Sequence, residues 1–501
     1  MYTQDKRMII AWSGQDPLCL EGRMANRHGL VAGATGTGKT VSLQVLAETF
    51  SAAGVPCFMA DVKGDLSGIS QPGKVTDFIA ERADEFGLKS NDVTFAGCPT
   101  RFFDVFGEKG HPLRTTISDM GPLLLARTLD LNETQTAILN VIFHIADAEG
   151  LLLIDTKDLR LMLDYVSKNA KTLGSIYGNM PPQSIAAIQR SLTMLNSQGG
   201  DYFFGEPAFN CLDLIKQENG RGVVNLLAAD KLLQNPLLYS SFLLWLLSEL
   251  YTHLPEVGDM QLPKLVFFFD EAHTLFKGTP KVLVDKVEQV VRLVRSKGVG
   301  VYFVTQIPGD IPDAVLGQLG NRIQHALRAF TPKDQKLVRA AAETFRANPD
   351  LDTAEAIMQL ATGEAIVSFL DEQGAPSIAK KAKVMFPFSS IGPVTDDVRN
   401  TIIRTSPLFD VYNKTVDRES AYEVLTDRNE REAEEETEKN TDTGRKGTRS
   451  SRRGSSLGNT IMKTAEREAL QQIFGRRTRK GAASSFGASI IRGILGSIFR
   501  K

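Results

Sequence analysis

The chain has 501 residues, 42% of them hydrophobic and 23% charged, ordinary for a globular protein of one large or two modest domains. Its net charge is −1, but Lys439–Lys501 holds fifteen Lys or Arg against three Asp or Glu, so an acidic body of −13 balances a basic tail of +12. No stretch reaches the ~20 apolar residues of a membrane span, and no amino-terminal apolar core marks a signal peptide, so a cytoplasmic protein is expected.

Residues 27–70 read as strand, glycine-rich turn, helix, strand and loop. Leu30–Gly33 is short and apolar, Val41–Phe50 has helical spacing, and Val55–Asp61 is an apolar run ending in a carboxylate, the pattern of a buried parallel strand. Residues 76–200 carry apolar side chains at three- and four-residue spacing, as in Glu133–Ile145 and Leu159–Val166, and predict a mostly helical insertion. Strands are predicted at Val223–Leu227, Leu265–Phe269, Gly300–Thr305 and Ile323–Leu327, with helices Leu237–Tyr251 and Val282–Arg295 between them. Such alternation makes an α/β protein, a mostly parallel sheet flanked by helices. Glu364–Leu370 and Ser377–Met385 look like a closing hairpin at the sheet edge. The predicted domains are a core over 1–75 and 201–416, the insertion over 76–200, a charged disordered linker over 417–485, and a short amphipathic segment over 486–501. The cysteines at 19, 57, 98 and 211 form no CxxC pair and read as idle thiols in a reducing compartment.

GATGTGKT, Gly33–Thr40, matches the P-loop pattern residue by residue, between a strand and a helix. Gly33, Gly36 and Gly38 let the backbone curl, so that the run through Ala34, Thr35 and Thr37 can turn its N–H groups on phosphate oxygens. Lys39 supplies a cation for the β- and γ-phosphates, and the Thr40 hydroxyl a magnesium ligand. The alternative is a chance glycine-rich turn. Five apolar residues from Leu265 lead to Asp270 and Glu271. At a strand's carboxyl end Asp270 can orient Mg²⁺ through water, and Glu271 can polarise the water that attacks the γ-phosphate of ATP. For Asp270 alone, a helix N-cap is the competing assignment. Gly300–Gln306 is a third strand ending in a polar group, and Gln306 can contact the γ-phosphate or its water, or lie in a surface loop.

In this order, followed by Asn321-Arg322, the motifs resemble those of the HerA–FtsK group of hexameric ATPases, and within it the bacterial HerA-like helicases. RMANRHGLVAGATGTGKTVSLQVLAE, DMGPLLLARTLDLNETQTAILN, FFGEP and RSKGVGVYFVTQ carry the resemblance, over roughly residues 20–400. It implies a RecA-like core, a ring of subunits, and an arginine lent to the neighbour's ATP site; Arg322 and Arg328 are the candidates, with Arg322 closer to the strand end. A surface salt bridge is the other assignment for each. HerA itself has a β-barrel before its P-loop; 32 residues precede Gly33 here, so no barrel is expected and DNA-end processing is not carried over. Asp270–His273 also spells DEAH, but nothing after residue 330 reads as the second RecA-like half those helicases need, so His273 is read as a helix-start residue.

Asp61, Lys63 and Asp65 fall just past a strand end, where a simple turn around Gly64 competes with a supporting role at the site. Arg292, Arg295 and Lys297 cluster at a helix carboxyl end, where contact with a neighbouring subunit or DNA competes with the fact that cations are favourable there in any case. Arg190 is a lone cation on an amphipathic stretch. The basic tail, with Arg476, Arg477, Arg479 and Lys480, suits DNA phosphates or lipid headgroups, and the apolar stripe from Phe486 to Phe499 suits a partner or a membrane surface. The motifs predict an ATP·Mg²⁺-hydrolysing enzyme, and the resemblance implies a hexameric motor, with double-stranded DNA as the expected polymer. A regulatory or assembly ATPase that does not act on nucleic acid is the alternative.

Overall fold

The computed structural model describes residues 1–88, 93–258, 260–276 and 281–442, with the backbone alone for 281–283, 286 and 435–442. The chain forms two units, one of Met1–Leu113 with Phe209–Lys414, the other of Arg114–Ala208 with the chain from Thr415.

Fourteen strands are found among the described residues of the first unit: β1 (Met8–Ser13), β2 (Asp16–Leu20), β3 (Gly29–Ala32), β4 (Cys57–Asp61), β5 (Thr100–Asp104), β6 (His111–Pro112), β7 (Gln217–Glu218), β8 (Arg221–Gly222), β9 (Val224–Ala228), β10 (Leu265–Phe269), β11 (Val299–Thr305), β12 (Asn321–Gln324), β13 (Glu364–Ser368) and β14 (Lys380–Val384). β7 and β8 make a small ribbon; the others form one sheet in the order β2-β1-β14-β13-β12-β3-β11-β10-β4-β9-β5-β6. From β12 to β6 every neighbouring pair is parallel, while β12–β13, β13–β14, β14–β1 and β1–β2 are antiparallel.

The central parallel strands β3, β4, β10 and β11 are buried and almost wholly apolar because helices cover both faces. All five residues of β10 are buried. On one face Phe268 packs on Phe50 of the helix Lys39–Ala52, with ring centroids 6.1 Å apart. On the other, Phe267 meets Phe58, which packs on Phe242 of the helix Pro236–His253. That second helix is buried along most of its length, which explains its nearly unbroken apolar sequence. No helix among the described residues is long and apolar enough to cross a membrane.

Besides strand ends shifted by a few residues, most at β12, which is Asn321–Gln324 where Ile323–Leu327 is expected, the observed elements depart from the sequence expectations at three places. The 364–385 hairpin forms as β13 and β14, but β1 and β2 lie outside it and make the actual edge. The helical insertion starts at Arg114 instead of residue 76, since the helix Asp77–Glu85, β5 and β6 belong to the sheet unit. Residues 421–442, expected to begin the charged linker, form a helix.

Six helices among the described residues of the second unit lie between Ile117 and Phe203. Asn132 and Asp155 each close a capping box at a helix start, which fixes where those helices begin. The helix Ala421–Asp442 packs on Thr156–Lys168: Ala421 and Leu425 are buried, and Tyr422 N donates to Asp158 Oδ1 at 2.8 Å. Arg428 pairs with Glu149 in the same unit. The glutamates from Glu430 to Glu434 are therefore the solvated part of an anchored helix. The remainder of the expected linker, from 443, the basic cluster at 476–480 and the apolar stripe at 486–499 lie outside the described residues.

Candidate functional site

β3 ends at Ala32 and the helix begins at Lys39, so Gly33–Gly38 must turn the chain within six residues. Gly33, Gly36 and Gly38 take φ of 154°, 77° and 112°, a region that favours glycine. At Gly33 the need is also steric, because a Cβ would stand 2.5 Å from His325 Cβ. Thr37 Oγ1 donates to Ala34 O at 2.7 Å, and Lys39 Nζ to the carbonyls of Gly33 and Ala34 at 2.6 and 3.0 Å. Burial pulls the Lys39 ammonium below its usual value, against the opposing charges of Glu271 and Asp270. Thr40 lies in the first turn of the helix.

The loop rests on the antiparallel half of the sheet. Gly363 N donates to Thr37 O at 3.0 Å, just before β13. His325, buried after β12, has Nδ1 2.8 Å from Glu364 O and Nε2 2.7 Å from Ser42 Oγ. The carbonyl requires a proton on Nδ1, which leaves Nε2 to accept from Ser42. Burial holds this imidazole down at about 4, so it is neutral. His325 carries no sequence signal of this role: it falls inside the expected strand Ile323–Leu327, and only the observed end of β12 at Gln324 places it beyond the strand.

Across β11, the carboxyl end of β10 presents Asp270 and Glu271, both buried. Burial, with Glu271 alongside, pushes Asp270 up to about 6. Glu271 has φ 48°, left-handed backbone that glutamate seldom adopts, at a cost of about 1 kcal/mol or more. Three groups surround its carboxylate. Lys63 Nζ is 3.2 Å from Oε1, Gln306 Nε2 donates to Oε2 at 3.4 Å, and His273 Nδ1 lies 3.4 Å from Oε2 without hydrogen-bond geometry. His273 also starts the helix His273–Phe276. The geometry therefore places Gln306 beside Glu271 and adds Lys63.

Lys63 stands on a turn that Gly64 makes at φ 77°, with Gly64 N donating to the buried Asp61 carboxylate at 2.8 Å. A cavity of about 210 Å³ opens here, lined by Asp61, Lys63, Lys109, Asp230, Asp396 and Arg399 among others.

Arg322 is not among these groups. Its Nε and two terminal nitrogens donate to the carbonyls of Leu319, Thr344 and Leu316 at 2.8, 2.7 and 3.0 Å, and burial lowers its pKa. Arg328 is exposed and donates to Met358 O at 3.1 Å. Arg292 is exposed, Lys297 stands over the Tyr251 ring at 4.7 Å, and Arg190 lies exposed on the helix Pro182–Ser197.

The family model described as helicase HerA-like C-terminal matches residues 6–501. A probable helicase of Methanocaldococcus jannaschii is 32% identical over 125 residues, 24% of this chain and 22% of that protein. The DNA double-strand break repair helicase HerA of Sulfolobus acidocaldarius is 32% identical over 99 residues, 20% of this chain and 19% of that protein. The match thus spans about a fifth of the length of these curated relatives. Among solved structures, the plasmid coupling protein TrwB in complex with ADP and Mg²⁺ superposes with a TM-score of 0.50 at 14% identity, over 77% of this chain and 91% of that one. At that identity the likeness is one of fold, a RecA-like sheet with flanking helices.

Proposed function

Since this chain belongs to the HerA-like helicase C-terminal family, we propose that it hydrolyses ATP at the carboxyl edge of its parallel strands, as a subunit of a hexameric cytoplasmic motor on double-stranded DNA. The observation that carries this reading is the convergence of Gln306 and Lys63 on Glu271, at the strand end beyond β11 from the P-loop. Gly33–Thr40 holds the phosphates, with Lys39 as the cation on the β- and γ-groups. Thr40 directly, and Asp270 through water, would hold Mg²⁺, whose charge would offset that of the phosphates. Asp270 fits such a partner, being a buried carboxylate that its surroundings push toward the neutral form. Glu271 takes a proton from the attacking water as its oxygen bonds to the γ-phosphorus, ADP departs, and the proton passes on to solvent.

The ring and the DNA are supported by family membership alone. For the arginine lent to a neighbour, Arg328 is the better donor, because Arg322 already gives its donors to three carbonyls of its own chain. The second reading, a regulatory or assembly ATPase without nucleic acid, is favoured by the charge of −13 outside the tail. Turnover measured against protein concentration, with and without duplex DNA, tests both. We expect a steeper than linear rise, flattened by Arg328→Ala, and stimulation by duplex. Linear turnover with no response to duplex would remove the ring and the DNA together.

A further inference from the structure

Lys63 stands out because its charge is held against the one carboxylate to which we assign the proton transfer, while half of its own side chain remains in water. An exposed lysine ion pair ordinarily contributes little to stability. Here the partner is only 11% exposed, and the lysine backbone is fixed from below. β4 ends in Asp61, whose buried carboxylate accepts from Gly64 N; Gly64 turns the chain; and Lys63, between them, projects onto Glu271 Oε1. β4 lies beside β10 in parallel, so Lys63 and Gln306 reach Glu271 from opposite flanking strands, one on each carboxylate oxygen.

We propose that Lys63 is a positioning residue for hydrolysis, fixing with Gln306 the orientation in which Glu271 meets the attacking water. This rests on Glu271 being the proton acceptor. A carboxylate that must reach a water at hydrogen-bond distance gains from two fixed donors, since a misplacement of about 1 Å can cost roughly a hundredfold in rate. The turn at Lys63 is open: the residue is exposed, a Cβ at Gly64 would meet nothing within 4 Å, and the ammonium borders the cavity lined by Asp61, Asp230 and Asp396. The substitution can therefore be made without unfolding the site.

The test is a kinetic comparison of Lys63→Met, Lys63→Arg, Glu271→Gln and the Lys63→Met/Glu271→Gln double variant in the full chain. We expect Lys63→Met to lower kcat about tenfold to a hundredfold, with unchanged affinity for a non-hydrolysable ATP analogue and an unchanged melting temperature. Lys63→Arg, which keeps a charged donor, should recover most of the loss. In the Glu271→Gln background, Lys63→Met should remove nothing further, because a positioning residue has nothing left to position. Normal kcat in Lys63→Met with a slow Glu271→Gln would overturn the role of Lys63 alone. Normal turnover by Glu271→Gln would instead overturn the assignment of the base. Parallel losses of kcat and analogue affinity, failure of arginine to rescue, or additive losses in the double variant would each reduce Lys63 to a structural contact.

Discussion

The parallel and antiparallel halves of the sheet solve different burial problems, and the difference accounts for where the chemistry lies. In β10 every residue is buried, so polar groups can emerge only beyond its last residue, as Asp270 and Glu271 do. In β14 burial alternates from Lys381 onward, and Lys381 and Lys383 face outward, paired with Glu364 and Glu85. The groups to which we assign the chemistry thus collect on one rim of the parallel half. The antiparallel half contributes chiefly from beneath, through Gly363 and His325.

The comparison is most severely tested at Glu271. Glu271→Gln should slow turnover by about a hundredfold or more with little change in melting temperature, as measured by steady-state ATPase assay and calorimetry. A stability loss as large as the kinetic one would mean that the rim is part of the fold's support.

Gly33→Ala probes the seam between the halves. Its Cβ would meet His325 Cβ at 2.5 Å, and the loop must shift to relieve it. We expect analogue binding to fall at least about tenfold and stability by about 1–3 kcal/mol, measured by titration and denaturant unfolding. Unchanged binding would separate the loop from its floor.

A smaller effect should appear as pH dependence. Burial, reinforced by Asp65, raises Asp61 to about 7 in the folded chain, above its ordinary 3.8. The folded state therefore holds this proton more tightly than the unfolded state does. The stabilisation is complete below about 4 and is lost as pH rises through about 7. Melting temperature should carry this downward contribution across that window, and Asp61→Asn, measured over the same range, should lack it. Identical profiles for the two proteins would contradict it.

The smallest effect belongs to the antiparallel half. Lys381→Ala breaks a half-exposed pair with Glu364 and should change stability by no more than about 1 kcal/mol, leaving turnover alone. A marked kinetic effect would show that this face takes part in function.

What could be read from the residues alone follows the same division. Leu265–Phe269 was legible to the residue because a doubly covered strand must be apolar throughout and its end is marked by Asp270. The turn over Gly33–Gly38 was legible because its glycines serve a local backbone need. β1 and β2 were passed over, since their burial depends on pairing with β14, far along the chain. Lys63 was readable as part of a turn, but its contact with Glu271 spans 208 positions and leaves no periodic trace. The charge run after Asp417 misled in a different way. Tyr422 and Leu425 anchor a helix there, and anchoring by a few residues is invisible to composition. Arg322 looked available because sequence cannot register that three carbonyls of the same chain already occupy it.

β11 stands between β3, which leads into the P-loop, and β10, which leads to Asp270 and Glu271. Adjacent strands are about 4.8 Å apart, so two spacings set a gauge of roughly 10 Å between the two rims. On the function proposed here, that gauge acts as a ruler for polyphosphate length. A ligand gripped at Lys39 must extend a further phosphate toward β10 before water and carboxylate can close on it, and a shorter one is held without being processed. Discrimination of triphosphate from diphosphate would then be a property of strand order, beyond the reach of any single side chain to abolish.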